Sequence, residues 1–240
     1  MWSKLTIPTT DNLWSIWGAD ASNIWVVTDG GAILKWNGTV WTAQLKVPST
    51  WLYGVWGTDV NNVWVVGAGG TVLKWNGTAW DTQHIETKNR LTGVWASDTN
   101  NVWVVGDGGT GLRWNGTAWT AHNIEPRNWL YGVWGTDANN VWAVSYGGPI
   151  WKWNGTAWFP QTSVTSNRLY RAWGSDANNI WAVGDGGTIL KWNGTAWLKL
   201  PSGTSHWLSG VWGTDANNVW AVGDGGTVLR YVHTGPPVMF

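Results

Sequence analysis

A residue pattern that returns every 39 positions, four short apolar segments within each return, and turn signals between those segments predict an all-β chain: a six-bladed β-propeller of four-stranded antiparallel blades. The period is read from the tryptophans. The first of each unit stands at Trp17, Trp56, Trp95, Trp134, Trp173 and Trp212, a constant step of 39. The second follows at Trp25, Trp64, Trp103, Trp142, Trp181 and Trp220. The third stands at Trp36, Trp75, Trp114, Trp153 and Trp192, with Tyr231 in the last unit. The fourth is Trp41, Trp80, Trp119, Trp158 and Trp197. The last unit lacks its fourth tryptophan, and Trp2 stands 39 residues before Trp41, in a segment "WSKL" that matches "WLKL" at 197–200. A ring closed by an N-terminal strand joining the C-terminal blade is therefore expected, as one domain over 1–240 with 231–240 as a tail.

Each element of the unit has its own justification. The first segment, "LSGVWGT" in the last unit, reads as the inner strand. It carries a small residue at one position (Ser15, Gly54, Gly93, Gly132, Gly210), which suits a crowded axis. Arg171 breaks that rule and is expected to face the central channel. The second segment, "NVWAVGD", is apolar on both faces: Trp25 and Val27 share one, Ile24 and Val26 the other. A blade between two blades needs this. The third, "TVLRY", places a base before the third aromatic at Lys35, Lys74, Arg113, Lys152, Lys191 and Arg230, and ion pairs with the aspartates of the nearby turn are expected. The fourth is the "TAW" segment. Val, Ile, Thr and Trp dominate, as strands prefer. "DANN", "GG" and "NGT" separate them, and Asn-Gly is a strong hairpin cue.

Composition narrows the function. The chain has 33 Gly and 28 Trp, no Cys, and 14 basic against 14 acidic residues. Zero net charge and the lack of a basic run speak against nucleic acid. No apolar run reaches the roughly 18–20 residues of a membrane helix, and no signal-peptide h-region is visible. A soluble monomer with no membrane contact is expected.

Catalytic and metal chemistry find little support. Glu occurs only at Glu86 and Glu125, in equivalent variable loops. His84, His122, His206 and His233 share no repeat position and no ligand spacing. Asp20, Asp59, Asp98, Asp137, Asp176 and Asp215 open "D-x-N-N" turns, where a carboxylate caps backbone N–H groups; a calcium reading has one carboxylate per turn to rest on. Asn37, Asn76, Asn115, Asn154 and Asn193 are formal glycosylation sequons that a tight hairpin also requires. No catalytic residue, no metal and no cofactor is expected.

A second period lies within the first. Five residues before the first tryptophan stand Asn12, Trp51, Arg90, Trp129, Arg168 and Trp207. "WLYGVWGTD" is identical at 51–59 and 129–137, so a two-blade unit of 78 residues was copied three times. Trp51, Trp129 and Trp207 lie between one blade's outer strand and the next blade's inner strand, with Trp14, Tyr53, Tyr131 and Tyr170 two residues beyond their own junction positions. The usual chain path puts this junction on the same face as the "GDGG" turn, which carries Asp29, Asp107, Asp185 and Asp224, with Ala68 and Tyr146 as departures. Aromatic planes beside Asp, Asn and Arg suit a sugar. The candidate ligand-binding residues are Trp51, Trp129, Trp207, Tyr53, Tyr131, Arg90, Arg168, Asn12, Asp107, Asp185 and Asp224. The competing reading is that these rings only seal the junction, since Trp is highly buried on average.

With its "WNGTAW" and "VWAVGDGGT" units the chain resembles bacterial β-propeller repeats of recently amplified type, and it is similar to tectonin-like lectin propellers. The resemblance implies the fold over the whole chain and carries no lectin motif across residue by residue. The expected function is a non-enzymatic, lectin-like module that binds a glycan at repeated sites between blades. The alternative is a structural or protein-interaction propeller, natural or engineered, without a small-molecule site.

Overall fold

The computed structural model describes residues 5–231. It is an all-β six-bladed propeller in which every sheet is an antiparallel meander. The first sheet holds β1 (Leu13–Asp20), β2 (Asn23–Thr28), β3 (Ala32–Trp36) and β4 (Trp41–Lys46). The second holds β5 (Leu52–Asp59), β6 (Asn62–Gly67), β7 (Val72–Trp75) and β8 (Trp80–Thr82). The third holds β9 (Leu91–Asp98), β10 (Asn101–Gly106), β11 (Gly111–Trp114) and β12 (Trp119–Ala121). The fourth holds β13 (Leu130–Asp137), β14 (Asn140–Ser145), β15 (Ile150–Trp153) and β16 (Trp158–Gln161). The fifth holds β17 (Leu169–Asp176), β18 (Asn179–Gly184), β19 (Thr188–Trp192) and β20 (Trp197–Leu200). The sixth holds β21 (Leu208–Asp215), β22 (Asn218–Gly223) and β23 (Thr227–Arg230) among the described residues. The closing strand expected from Trp2 onward begins outside the described residues.

Register repeats with the sequence. The first and second tryptophans face each other across the inner strand pair, Trp17 on Trp25, Trp56 on Trp64 and Trp173 on Trp181. The third and fourth do so across the outer pair, Trp75 on Trp80 and Trp192 on Trp197. Such cross-strand aromatic pairs are the local unit of sheet stability.

The core lies between successive sheets. Trp25, Val27 and Ile33 of the first sheet meet Leu52, Val55, Val63, Val65 and Leu73 of the second. Trp64, Val66 and Val72 of the second meet Leu91, Val94, Val102, Val104 and Leu112 of the third. Val183 of the fifth meets Leu208 and Ala221 of the sixth. Both faces of the second strand are buried in this way, as its sequence predicts. The four framework tryptophans are not equally buried. The second is fully enclosed at Trp25, Trp64, Trp103 and Trp142, whereas the first and fourth are mostly half-buried. Trp212 departs furthest, at 60 % exposed with Val222 and Val228 of the same sheet also exposed. In the first sheet Leu13 and Ile16 are exposed where Leu52 and Val55 are buried.

The turns behave as their residues require. In the five "D-x-N-N" turns and in the "DASN" turn of the first sheet the carboxylate accepts the N–H two residues on, as in Asn100 to Asp98 and Ser22 to Asp20 at 2.8 Å, and the side-chain amide three residues on. These aspartates serve turn chemistry. In the "N-G-T" hairpins the Asn Oδ1 accepts the next two available N–H groups, Thr78 at 2.9 Å and Ala79 at 3.0 Å on Asn76. The following glycine sits at φ 97° in Gly77, a left-handed conformation that favours Gly.

The basic residues before the third aromatic correct an expectation. Among the described residues the four lysines of this ring form no ion pair within 4 Å with the turn aspartates. Lys35, Lys74, Lys152 and Lys191 lie 4.7–5.0 Å over the rings of Trp25, Trp64, Trp142 and Trp181. Arg113 and Arg230 donate to the turn amides Asn101 and Asn218 at 2.8 and 3.1 Å. The physical reason is that both carboxylate oxygens already accept amide N–H groups. A lysine running along an indole face keeps its charge against the ring.

Candidate functional site

The junction before each inner strand is built from backbone. The carbonyl of the junction residue accepts the N–H of the first residue of the β2–β3-type turn in the same sheet. The pairs are Asn12 with Asp29 (3.1 Å), Trp51 with Ala68 (2.8 Å), Arg90 with Asp107, Arg168 with Asp185 and Trp207 with Asp224 (each 2.9 Å). In four sheets a glycine before the turn gives room for this approach, whereas the first sheet has Thr28 there and makes the longest bond of the set. A Cβ on Gly67, Gly106, Gly184 or Gly223 would collide with the carbonyl of Trp51, Arg90, Arg168 or Trp207. In these five sheets the junction and the turn are therefore neighbours, and the backbone bond recurs whatever the junction side chain is.

What those side chains do alternates. In the first sheet Asn12 Nδ2 donates to Asp29 at 2.7 Å. In the third, Arg90 grips Asp107 with two parallel bonds of 3.1 Å. In the fifth, Arg168 lies 3.7 Å from Asp185, whose other oxygen accepts the Tyr170 hydroxyl at 2.7 Å. Burial and the Asp185 carboxylate push the Tyr170 phenol up to about 12. Planar fork-to-carboxylate geometry is what Arg does best.

In the even sheets the same position presents a ring to solvent. Trp51, Trp129 and Trp207 are 49 %, 50 % and 53 % exposed. They are not packed away as junction seals. Their neighbours differ. Trp51 touches Trp14 and Tyr53, with ring centroids 6.2 Å apart in both cases, and Trp14 stands edge-on to Tyr53 at 5.5 Å. Arg90 covers Tyr53 at 5.6 Å. Trp129 belongs to a sheet with Tyr131 half-buried and Tyr146 exposed on the turn. Trp207 belongs to a sheet with the exposed Asp224 on the turn.

Of the predicted residues, the structure thus brings together Asn12 with Asp29 and Arg90 with Asp107 as hydrogen-bonded side-chain pairs, and Arg168 with Asp185 as a looser ion pair in which Tyr170 supplies the hydrogen bond. Trp51, Trp129 and Trp207 each stand at the junction of their own sheet. The sequence reading missed that Arg and Asp occupy the two ends of one pair. The signal was there: the turn residue is Asp in every sheet whose junction residue is Asn or Arg, and departs from Asp only where that residue is Trp. Arg171, the odd inner-strand residue, is partly buried and donates to the Tyr170 carbonyl at 3.0 Å; burial pulls its guanidinium below its ordinary value.

No family model matches the chain, and no curated protein matches it. Solved structures do. YCF48 from Cyanidioschyzon merolae is similar at 15 % identity and a TM-score of 0.66, over 96 % of this chain and 98 % of that one. YCF48 bound to D1 peptide is similar at 16 % identity and a TM-score of 0.51, over 95 % and 94 %. Virginiamycin B lyase from Staphylococcus aureus is similar at 10 % identity and a TM-score of 0.78, over 95 % and 87 %. At these identities the likeness is one of fold. A lyase stands beside a peptide-bound protein in that set, so the fold alone does not choose between catalysis and binding.

Proposed function

We propose that the chain is a non-enzymatic, lectin-like module that binds a glycan on the face carrying the junctions and the β2–β3-type turns. One observation carries the reading. At one position of the repeat, three sheets satisfy the side chain internally, and the other three hold a tryptophan half in solvent. A half-exposed indole beside polar turns offers a stacking face to the C–H side of a pyranose. In the second and sixth sheets the junction itself is bonded through backbone, which leaves the exposed half of each ring available to a ligand.

The test is a glycan array of the protein beside the variant Trp51→Ala, Trp129→Ala, Trp207→Ala, with circular dichroism to establish that both are folded. Binding that vanishes in the folded variant supports the reading; no binding to any glycan overturns it. A second reading is a protein-interaction propeller without a small-molecule site. The observation in its favour is the apolar patch of Leu13, Trp14, Ile16 and Trp51, all exposed. The similarity to a YCF48 solved with a bound peptide is in keeping with it. A peptide array that is positive while the glycan array is blank selects this second reading.

A further inference from the structure

The three exposed tryptophans are not equivalent, because the residue across the junction differs in each even sheet. Trp51 is bonded through its carbonyl to the turn residue Ala68 and Trp207 to Asp224, and at the turn position of the sheet of Trp129 the sequence has Tyr146. The first has an apolar surround of rings and methyls. The second has a phenol on its turn. The third has a carboxylate.

That carboxylate differs from its counterparts. Asp29, Asp107 and Asp185 are bound by Asn12, Arg90 and by Arg168 with Tyr170. The Asp224 side chain has no hydrogen bond and no ion pair among the described residues, and it is exposed. Its backbone N–H is the 2.9 Å donor to Trp207. The backbone bond sets the two residues side by side. In the third sheet the same backbone bond brings the junction side chain within 3.1 Å of the turn carboxylate. His206, one residue before Trp207, lies against the same turn and is held by Thr227 at 2.9 Å.

Resting on the glycan reading above, we infer that the binding site proper is the Trp207–Asp224 corner of the sixth sheet, and that its ligand is a non-acidic sugar, neutral or amino-substituted. The indole supplies a stacking face. The carboxylate accepts two neighbouring hydroxyls, or an ammonium, and charged acceptors make the stronger bonds. The same charge repels a uronate, sialate or sulfate. The Trp51 corner has the larger aromatic surface, but its turn residue is Ala68 and the guanidinium over its Tyr53 ring is already paired with Asp107, so it offers no open carboxylate to fix a sugar's orientation.

The experiment is calorimetric titration of the whole chain with three probes: cellotetraose, chitosan tetramer and trigalacturonate. Trp207→Ala and Asp224→Asn are compared with Trp51→Ala and Trp129→Ala, all four checked by thermal melting. Cellotetraose or chitosan tetramer should bind and trigalacturonate should not. Trp207→Ala and Asp224→Asn should each weaken binding about tenfold or more, the equivalent of one charge-assisted bond or stacking contact. Trp51→Ala and Trp129→Ala should each weaken binding clearly less than Trp207→Ala does, by under the roughly tenfold that about 1.4 kcal/mol represents. Equal losses in all three tryptophan variants, an unchanged Asp224→Asn, or a preference for trigalacturonate would overturn the corner assignment and leave the glycan reading standing. A blank result for every probe here and on the array overturns both.

Discussion

The odd and even sheets share one backbone and differ at one corner. In both, a junction carbonyl accepts a turn N–H at about the same distance, 2.9 Å in Arg90 with Asp107 and 2.8 Å in Trp51 with Ala68. In the odd sheets the side chains repeat that link with a polar pair. In the even sheets they abandon it, and a tryptophan stands in water. The difference shows that the same backbone bond is made whether the junction side chain is Asn, Arg or Trp. It also separates two kinds of tryptophan in one chain: enclosed rings such as Trp64 that hold sheets together, and half-exposed rings such as Trp51 that do not.

The comparison is broken most forcefully in the core. Trp64 is fully buried between the second and third sheets, and Trp64→Ala should cost about 3–5 kcal/mol in urea unfolding, the usual range for a large buried aromatic. Trp51→Ala in the same sheet should cost less than about 1 kcal/mol, because half of the ring is already hydrated. Comparable losses would mean that the exposed rings are framework after all. Next in size is the backbone itself. Gly106→Ala places a methyl against the Arg90 carbonyl and should destabilise by about 1–3 kcal/mol, whereas Arg90→Ala leaves the backbone bond intact. If Arg90→Ala proves the worse of the two, the side-chain pair and not the backbone holds the corner.

Acid should act through the turns of both kinds of sheet alike. Burial pushes the carboxyls of Asp59, Asp98, Asp137 and Asp176 up, but the backbone N–H two residues on and the amide three residues on together bring them below the ordinary aspartate value. A carboxyl depressed in the folded state contributes stability that is complete above its unfolded pKa, near 4 for aspartate, and is lost as pH falls through the folded value. The urea midpoint should therefore be flat from neutral pH to about 5 and fall below about 4. A midpoint that rises on acidification would contradict the turn assignment. The smallest effect sharpens the odd corner. A double-mutant cycle on Arg90 and Asp107, both partly exposed, should return a coupling of about 0.2–1 kcal/mol that shrinks in salt.

Much of this was legible in the residues. The 39-step tryptophans, the Asn-Gly hairpins and the two apolar faces of the second strand specify the blade, because each is a local rule that the fold obeys. The alternation at Asn12, Trp51, Arg90, Trp129, Arg168 and Trp207 likewise located the corner. Three things were harder to read. The lysine ring went to the tryptophan faces because its presumed aspartate partners were already saturated by turn amides, a competition that spacing does not display. The exposure of Trp212 and the burial of Trp134 come from identical local sequence, "GVWGTD", and differ only in what covers them. The isolation of the Asp224 carboxylate depends on a partner missing across the corner, which appears only when junction and turn are read as one pair.

The most direct test of the central claim is a thermal melt of the wild type and of the Trp51→Ala, Trp129→Ala, Trp207→Ala variant, each with and without the best sugar from the array. Without sugar, the two should melt within a few degrees of each other, as small surface substitutions do. The sugar at about 100 times its Kd should stabilise the wild type by roughly 2.7 kcal/mol and leave the variant unmoved. A variant that melts far earlier without sugar, or one that the sugar stabilises as it does the wild type, would show that these tryptophans are not the binding surface.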